Sequence, residues 1–199
     1  MLPFLAAVAL AFGAIFVAEF GDKSQLLILA FATRYAARPV VLGLVAAAAF
    51  IQGISVLVGA VAGAALPTTA VAVISGIAFL AVAAWTLRGD DDDEDAEADA
   101  AGDRRLVGIG LVLAVAGAFI LSELGDKTML ATFALAATQG ALPTWVGSTA
   151  GEVAANLVAV AVGRQVGHRL PRRTVRIGSA ALFALAGVIV LVGALAGSG

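Results

Sequence analysis

The chain has 199 residues, of which 61% are hydrophobic and only 13% charged, with a formal net charge of -2. Soluble domains carry about 25% charged residues, so this composition, with a mean hydropathy of +1.03, excludes an ordinary water-soluble domain and indicates an integral membrane protein. The absence of cysteine also excludes a disulfide framework, thiolate metal sites and a cysteine nucleophile.

The first apolar stretch, about 3–33, is longer than the roughly 20 residues that a bilayer core requires. It lacks a basic leading region and contains Glu19 and Asp22, so it reads as a retained helix rather than a signal peptide. A short loop with Arg34 and Arg38 leads to stretches at about 40–62 and 70–87, separated by Ala65–Thr69. An acidic segment, 89–105, precedes the fourth stretch at about 106–137, which is again too long for one straight span. Like the first, it must tilt, break or continue past the membrane. Gly140–Pro143, a fifth stretch at about 144–163, the basic loop Arg164–Arg176 and a sixth stretch at about 177–196 complete the chain.

Sliding the sequence by 104 residues reveals an internal repeat. It matches Gly13 with Gly117, Glu19 with Glu123, Gly21–Asp22–Lys23 with Gly125–Asp126–Lys127, Pro39 with Pro143, and Phe79 with Phe183. Gly43/Gly147 and Leu66–Pro67/Leu170–Pro171 share the same offset. Three spans per copy is an odd number, so the second copy enters the membrane from the opposite side. The expected fold is therefore an all-α integral membrane protein of six transmembrane helices in two inverted three-helix repeats. These are 1–88 and 106–199, joined by the cytoplasmic linker 89–105.

Arginine gives the orientation. Arg34, Arg38, Arg88, Arg104 and Arg105 lie in the first and third loops, and Arg164, Arg169, Arg172, Arg173 and Arg176 in the fifth. The second and fourth loops and both ends carry no Lys or Arg. The positive-inside rule makes the odd loops cytoplasmic and both termini external. The Ala, Gly, Val and Arg bias suggests a bacterial genome, hence a bacterial cytoplasmic (inner) membrane.

Glu19, Asp22, Lys23, Glu123, Asp126, Lys127 and Glu152 remain inside apolar stretches. Each costs at least about 2.5–3.5 kcal/mol at the bilayer centre, so such groups normally face a protein interior or water and indicate a functional site. The spacing i, i+3, i+4 would put Glu19, Asp22 and Lys23 on one helix face, and Glu123, Asp126 and Lys127 on another. Crowded carboxylates at low dielectric repel one another, so some hold protons, and a divalent cation can replace those protons. Oxygen ligands suit Ca²⁺ and Mn²⁺ and argue against zinc or copper. Ser24, Gln25, Thr128 and the aligned pair Gln52/Asn156 could add neutral oxygens, and Gly21 and Gly125 would let the motif helices approach closely. Glu152 aligns with Ala48 and breaks the symmetry; it is a fifth ligand, a proton relay or a residue reaching water. The bland alternative is a pair of i,i+4 ion pairs, Glu19–Lys23 and Glu123–Lys127, holding a bundle together.

The motifs Glu19-Phe20-Gly21-Asp22-Lys23-Ser24-Gln25 and Glu123-Leu124-Gly125-Asp126-Lys127-Thr128 resemble those of the Gdt-type (transmembrane protein 165-like) divalent cation/proton antiporter family. The six-span duplicated layout and the acidic central loop extend the resemblance over the whole chain. It implies export of Mn²⁺ or Ca²⁺ from the cytoplasm against protons, as transported substrate rather than cofactor. It also implies that Glu19, Asp22, Glu123 and Asp126 form the cation site. Met129 stands where the family pattern has Gln, which reduces the oxygen ligands of the second motif.

Other signals carry less. Asp90–Asp99 lacks the spacing of an EF-hand loop and reads as a solvated linker, or alternatively as a cation collector. His168 reads as a surface residue, the basic fifth loop as a topology and headgroup signal, and Trp85 and Trp145 as interfacial anchors. Nothing suggests nucleic acid or an enzyme; the expected partners are divalent ions, protons and the lipid bilayer, and the plan admits a homodimer. The competing readings are a passive cation channel, an intramembrane aspartyl protease and a purely structural membrane protein. Glu19 and Glu123 occupy the glycine position of the protease's Gly-x-Gly-Asp, which weighs against that enzyme.

Overall fold

A computed structural model describes residues 1–20, 22–88, 106–166 and 172–196. The acidic segment with Asp90–Asp99, Gly21 and His168 lie outside the described residues, as do the side chains of Lys23 and of residues 162–176.

Eight helices follow one another: α1 Leu2–Glu19, α2 Lys23–Arg34, α3 Ala37–Ala65, α4 Thr68–Arg88, α5 Gly108–Glu123, α6 Lys127–Gln139, α7 Ala141–Val166 and α8 Arg172–Ala196. The all-helical expectation holds among the described residues. α1, α3 and α4 are each long and apolar enough to cross a membrane, and α5 with α6 would supply a fourth crossing bent by 80°. Both over-long stretches break, the first between Glu19 and Lys23 and the second between Glu123 and Lys127. The expectation of one continuous helix face for each motif is therefore corrected: Glu closes one helix, and Asp and Lys open the next.

Packing repeats at the sequence offset. α1 lies against α7 and α5 against α3, which are equivalent pairs. Glycine makes both approaches close. A Cβ on Gly43 would stand 2.8 Å from that of Val115, and one on Gly147 would stand 2.8 Å from that of Ala11. Such contacts are too tight for any side chain, as at small-residue interfaces in membranes. α4 packs against its own counterpart α8, where Phe79 stacks on Phe183 with ring centroids 6.1 Å apart. Repeat-equivalent residues in mutual contact are expected where a two-fold relation passes between them.

Two apolar cores flank the middle of the molecule. One joins Leu27, Ile28, Phe31, Val40, Leu44 and Phe119 from α2, α3 and α5. The other joins Ala11, Ile15, Phe79, Val82, Leu135 and Phe183 from α1, α4, α6 and α8. The α4–α8 pair leans to one side: α4 packs on α6 and α8 on α1, with no comparable contact of α8 with α2 or α4 with α5 among the described residues.

Candidate functional site

The motif's local structure follows from its residues. In the second copy, Leu124 is extended (φ -62, ψ 116), Gly125 has φ +80, and the Asp126 N–H donates to the Glu123 carbonyl at 3.1 Å. These are the features of a type II β-turn, whose third position needs a positive φ and therefore glycine. Phe20 (φ -67, ψ 118) and the bond from the Asp22 N–H to the Glu19 carbonyl, also 3.1 Å, repeat the pattern. A Cβ on Gly125 would meet nothing within 4 Å, so the expected close approach of motif helices at that glycine is corrected. Its role there is the turn. Met129 Sδ accepts the Gly125 N–H at 3.2 Å, which gives the thioether a part in the same turn.

Ser and Thr of the motif then reach back across the break. Ser24 Oγ donates to Glu19 Oε2 at 3.0 Å, and Thr128 Oγ1 to Glu123 Oε2 at 3.3 Å. One oxygen of each glutamate is thus held by the helix that follows it. The other, Oε1, is buried with no hydrogen-bond partner.

Glu152, on α7, joins this pair. Its Oε2 accepts the Gln52 amide of α3 at 2.6 Å, and its Oε1 likewise has no partner. Glu19, Glu123 and Glu152 are all 0% exposed, and carboxylate oxygens from the three lie within 4.8 Å of one another. Glu19, Asp22 and Asp126 form a second such group. Oxygens that ligate one Ca²⁺ at about 2.3–2.6 Å stand at most about 5 Å apart, so both groups have the spacing of a cation site.

The break thus brings together all four motif acids, and α7 adds a fifth from outside the motifs. Lys127 places its ammonium 2.6 Å from Asp22 of the other half, an ion pair across the repeats rather than along one helix. Among the described side chains, no ion pair reaches Glu19, Glu123 or Glu152. Three buried carboxylates this close together are costly, and protons or a cation would relieve that cost.

The neutral residues mostly position helices. Gln25 donates to the Ala155 carbonyl at 3.3 Å, and Asn156 to the Glu152 carbonyl at 3.0 Å. Gln52 Oε1 and Asn156 Oδ1 remain buried acceptors without a donor. Trp145 donates its indole N–H to the Ala49 carbonyl at 2.9 Å, tying α7 to α3 beyond the anchoring role expected of it. The sequence left Glu152 among three roles. The available signal was Gln52, a second polar residue whose helix must face α7 if the halves meet.

An all-helical membrane protein whose broken helices bring buried carboxylates together belongs to the class of ion transporters. The pattern described as "Divalent cation/proton antiporter GDT1" matches residues 7–94 and again 111–198, and the two matches are themselves 104 residues apart. The chain belongs to this GDT1 family of divalent cation/proton antiporters. It is 29% identical over 184 residues to a Vibrio cholerae protein named "Putative manganese exporter", covering 91% of this chain and 88% of that one. It is 32% identical over 187 residues to the Synechocystis "GDT1-like protein sll0615", covering 87% and 90%. "Protein PAM71, chloroplastic" of Arabidopsis thaliana is 30% identical over 199 residues, covering 88% of this chain and 54% of that protein. No solved structure matches.

Proposed function

We propose that this protein exports Mn²⁺ or Ca²⁺ from the cytoplasm in exchange for protons, with Glu19, Asp22, Glu123, Asp126 and Glu152 as the cation-binding carboxylates. The observation that carries this reading is the trio Glu19, Glu123 and Glu152, each with one oxygen tethered and the other buried without a partner. Hard oxygen ligands and no soft ones suit Mn²⁺ and Ca²⁺. The same oxygens serve protons on the return leg, so one site binds either substrate and exchange follows.

The proposed architecture is six spans in two inverted repeats, in which α1 with α2 and α5 with α6 each form one broken span. The offset shared by the motif turns, the Gly43/Gly147 contacts and the Phe79–Phe183 stack supports it. In the proposed orientation both termini face outward from a bacterial cytoplasmic membrane, because Lys and Arg outside the spans are confined to the odd loops. The site then sits near the midplane, where discontinuous helices commonly bind ions.

Flux into proteoliposomes loaded in turn with Mn²⁺, Ca²⁺, Mg²⁺ and Na⁺, with and without a pH gradient, tests the reading. Mn²⁺ movement driven by an imposed proton gradient is expected. Mn²⁺ flux with no accompanying proton movement would overturn exchange, and the absence of any divalent flux would overturn the substrate.

A further inference from the structure

Away from the motifs the halves differ on one pair of equivalent helix faces. On α7 the buried residues Thr144, Ser148, Glu152 and Asn156 recur every four positions and form a single stripe. The repeat positions on α3 are Val40, Leu44, Ala48 and Gln52. Thr132 on α6 likewise stands where α2 has Ile28. Ile28, Val40, Leu44 and Ala48 all belong to one apolar core, so the first half is apolar at these four positions where the second half is polar, while Gln52 and Asn156 are polar in both.

Buried hydroxyls in membrane helices commonly serve as glue, bonding a preceding carbonyl or a neighbouring helix. Ser55 does so, donating to the Ile51 carbonyl at 3.1 Å, and so does Ser148 of the stripe, donating to the Trp145 carbonyl at 3.4 Å. Thr132 and Thr144 do not. Both are fully buried and their Oγ1 atoms have no hydrogen-bond partner. A hydroxyl left in that condition is destabilising where Ile or Val would pack without cost, so packing does not account for these two; Thr86 on α4 and Thr149, off the stripe on α7, share the condition. Thr144 lies near the start of α7, and eight residues at 1.5 Å each place Glu152 about 12 Å further along the same stripe. The stripe therefore runs from one end of the helix to the carboxylate cluster.

We propose that Thr144 and Ser148, with Thr132 on the neighbouring helix, line the polar leg of the transport route, carrying hydrated cations and proton-bearing water between Glu152 and the membrane face at which α7 begins. The positions of Ile28, Val40 and Leu44 form the dry gate of the opposite leg. This rests on the exchange reading and adds to it a chemical difference between the two legs. In the proposed orientation the polar leg is external. The external leg stays wettable through hydroxyls, whereas the cytoplasmic leg opens only when apolar side chains separate.

The absence of cysteine makes the test direct. Thr144→Cys and Ser148→Cys are compared with Val40→Cys, Leu44→Cys and the exposed Leu142→Cys, using a cationic methanethiosulfonate reagent on each side in turn. Labelling of the first two from the α7-start side, slowed by saturating Mn²⁺, is expected, with no labelling of the Val40 and Leu44 variants from that side. Reaction at Thr144 and Ser148 no faster than at Leu142, or only from the other side, would overturn the route. Independently, Thr144→Val combined with Ser148→Ala should lower exchange about tenfold, equivalent to about 1.4 kcal/mol on the barrier. The Kd of purified protein for Mn²⁺ should not change. Exchange at the unmodified rate would overturn the proposal. Should the unmodified protein bind no Mn²⁺, the exchange reading fails, while the labelling contrast still judges the route.

Discussion

Two groups of three carboxylates share Glu19 and differ in what balances them. In the group with Asp22 and Asp126, the Lys127 ammonium stands 2.6 Å from Asp22. In the group with Glu123 and Glu152, each acid has one oxygen on a neutral donor and one on nothing. A buried acid beside a lysine can act as a fixed tie between halves. A buried acid with an unpartnered oxygen has charge left to share with a cation. The comparison teaches that two nearly identical motifs do not make a symmetric site, because Glu152 exists in one half only and its repeat position holds Ala48.

Glu19 belongs to both groups, so Glu19→Gln is the strongest way to break the comparison. Shape is kept and one ligand charge is lost. Mn²⁺ exchange should fall by about 100-fold or more, the upper end of what removing a residue that merely supports a metal ligand achieves. Vesicle flux measures it, with circular dichroism checking that the helices persist. A variant that transports at the unmodified rate would remove Glu19 from the site.

Glu152→Gln should act on the unbalanced group alone, weakening Mn²⁺ binding by about tenfold. It also sharpens the charge account. The four motif acids and two motif lysines leave a formal -2, which one divalent ion neutralises, and Glu152 adds one more negative charge. The ion-loaded site then carries charge, and a full crossing would feel up to about 2.3 kcal/mol per 100 mV. Exchange measured at clamped potentials should therefore depend on voltage in the native protein and lose that dependence in Glu152→Gln. A voltage-insensitive native protein would place Glu152 outside the transport cycle.

Lys127→Ala tests the balanced group. Without the ammonium beside Asp22, Mn²⁺ should bind more tightly and leave more slowly. KM and kcat should both fall by about fivefold, corresponding to about 1 kcal/mol. A raised KM would show that Lys127 helps to build the site rather than offset it.

The smallest expected effect is on the turn that both groups depend on. Gly125→Ala places a side chain at φ +80 where its Cβ meets nothing, so the cost is conformational rather than steric. About 1 kcal/mol is expected, read as a fall of about 2–4 °C in Tm for a chain of this size. An unchanged Tm would mean that the turn adapts.

Much of this protein is legible in its sequence. Composition demanded apolar helices, the over-long stretches at 3–33 and 106–137 demanded a tilt, a break or an overhang, and the offset of 104 paired Glu19 with Glu123 and Phe79 with Phe183. Those features are set by bilayer thickness, by the cost of buried charge and by residue identity, all of which act along the chain. The spacing of Glu19, Asp22 and Lys23 misled because i, i+3, i+4 implies one face only if the helix continues, and Gly125 shows that in the second copy it turns. Only the tertiary structure decided that Lys127 pairs with Asp22, that Gln52 holds Glu152, and that Thr132 and Thr144 are buried without partners. Each of these depends on which helix lies opposite which. Sequence periodicity gives a helix its buried face, but the neighbour that covers that face is chosen by packing across the whole molecule.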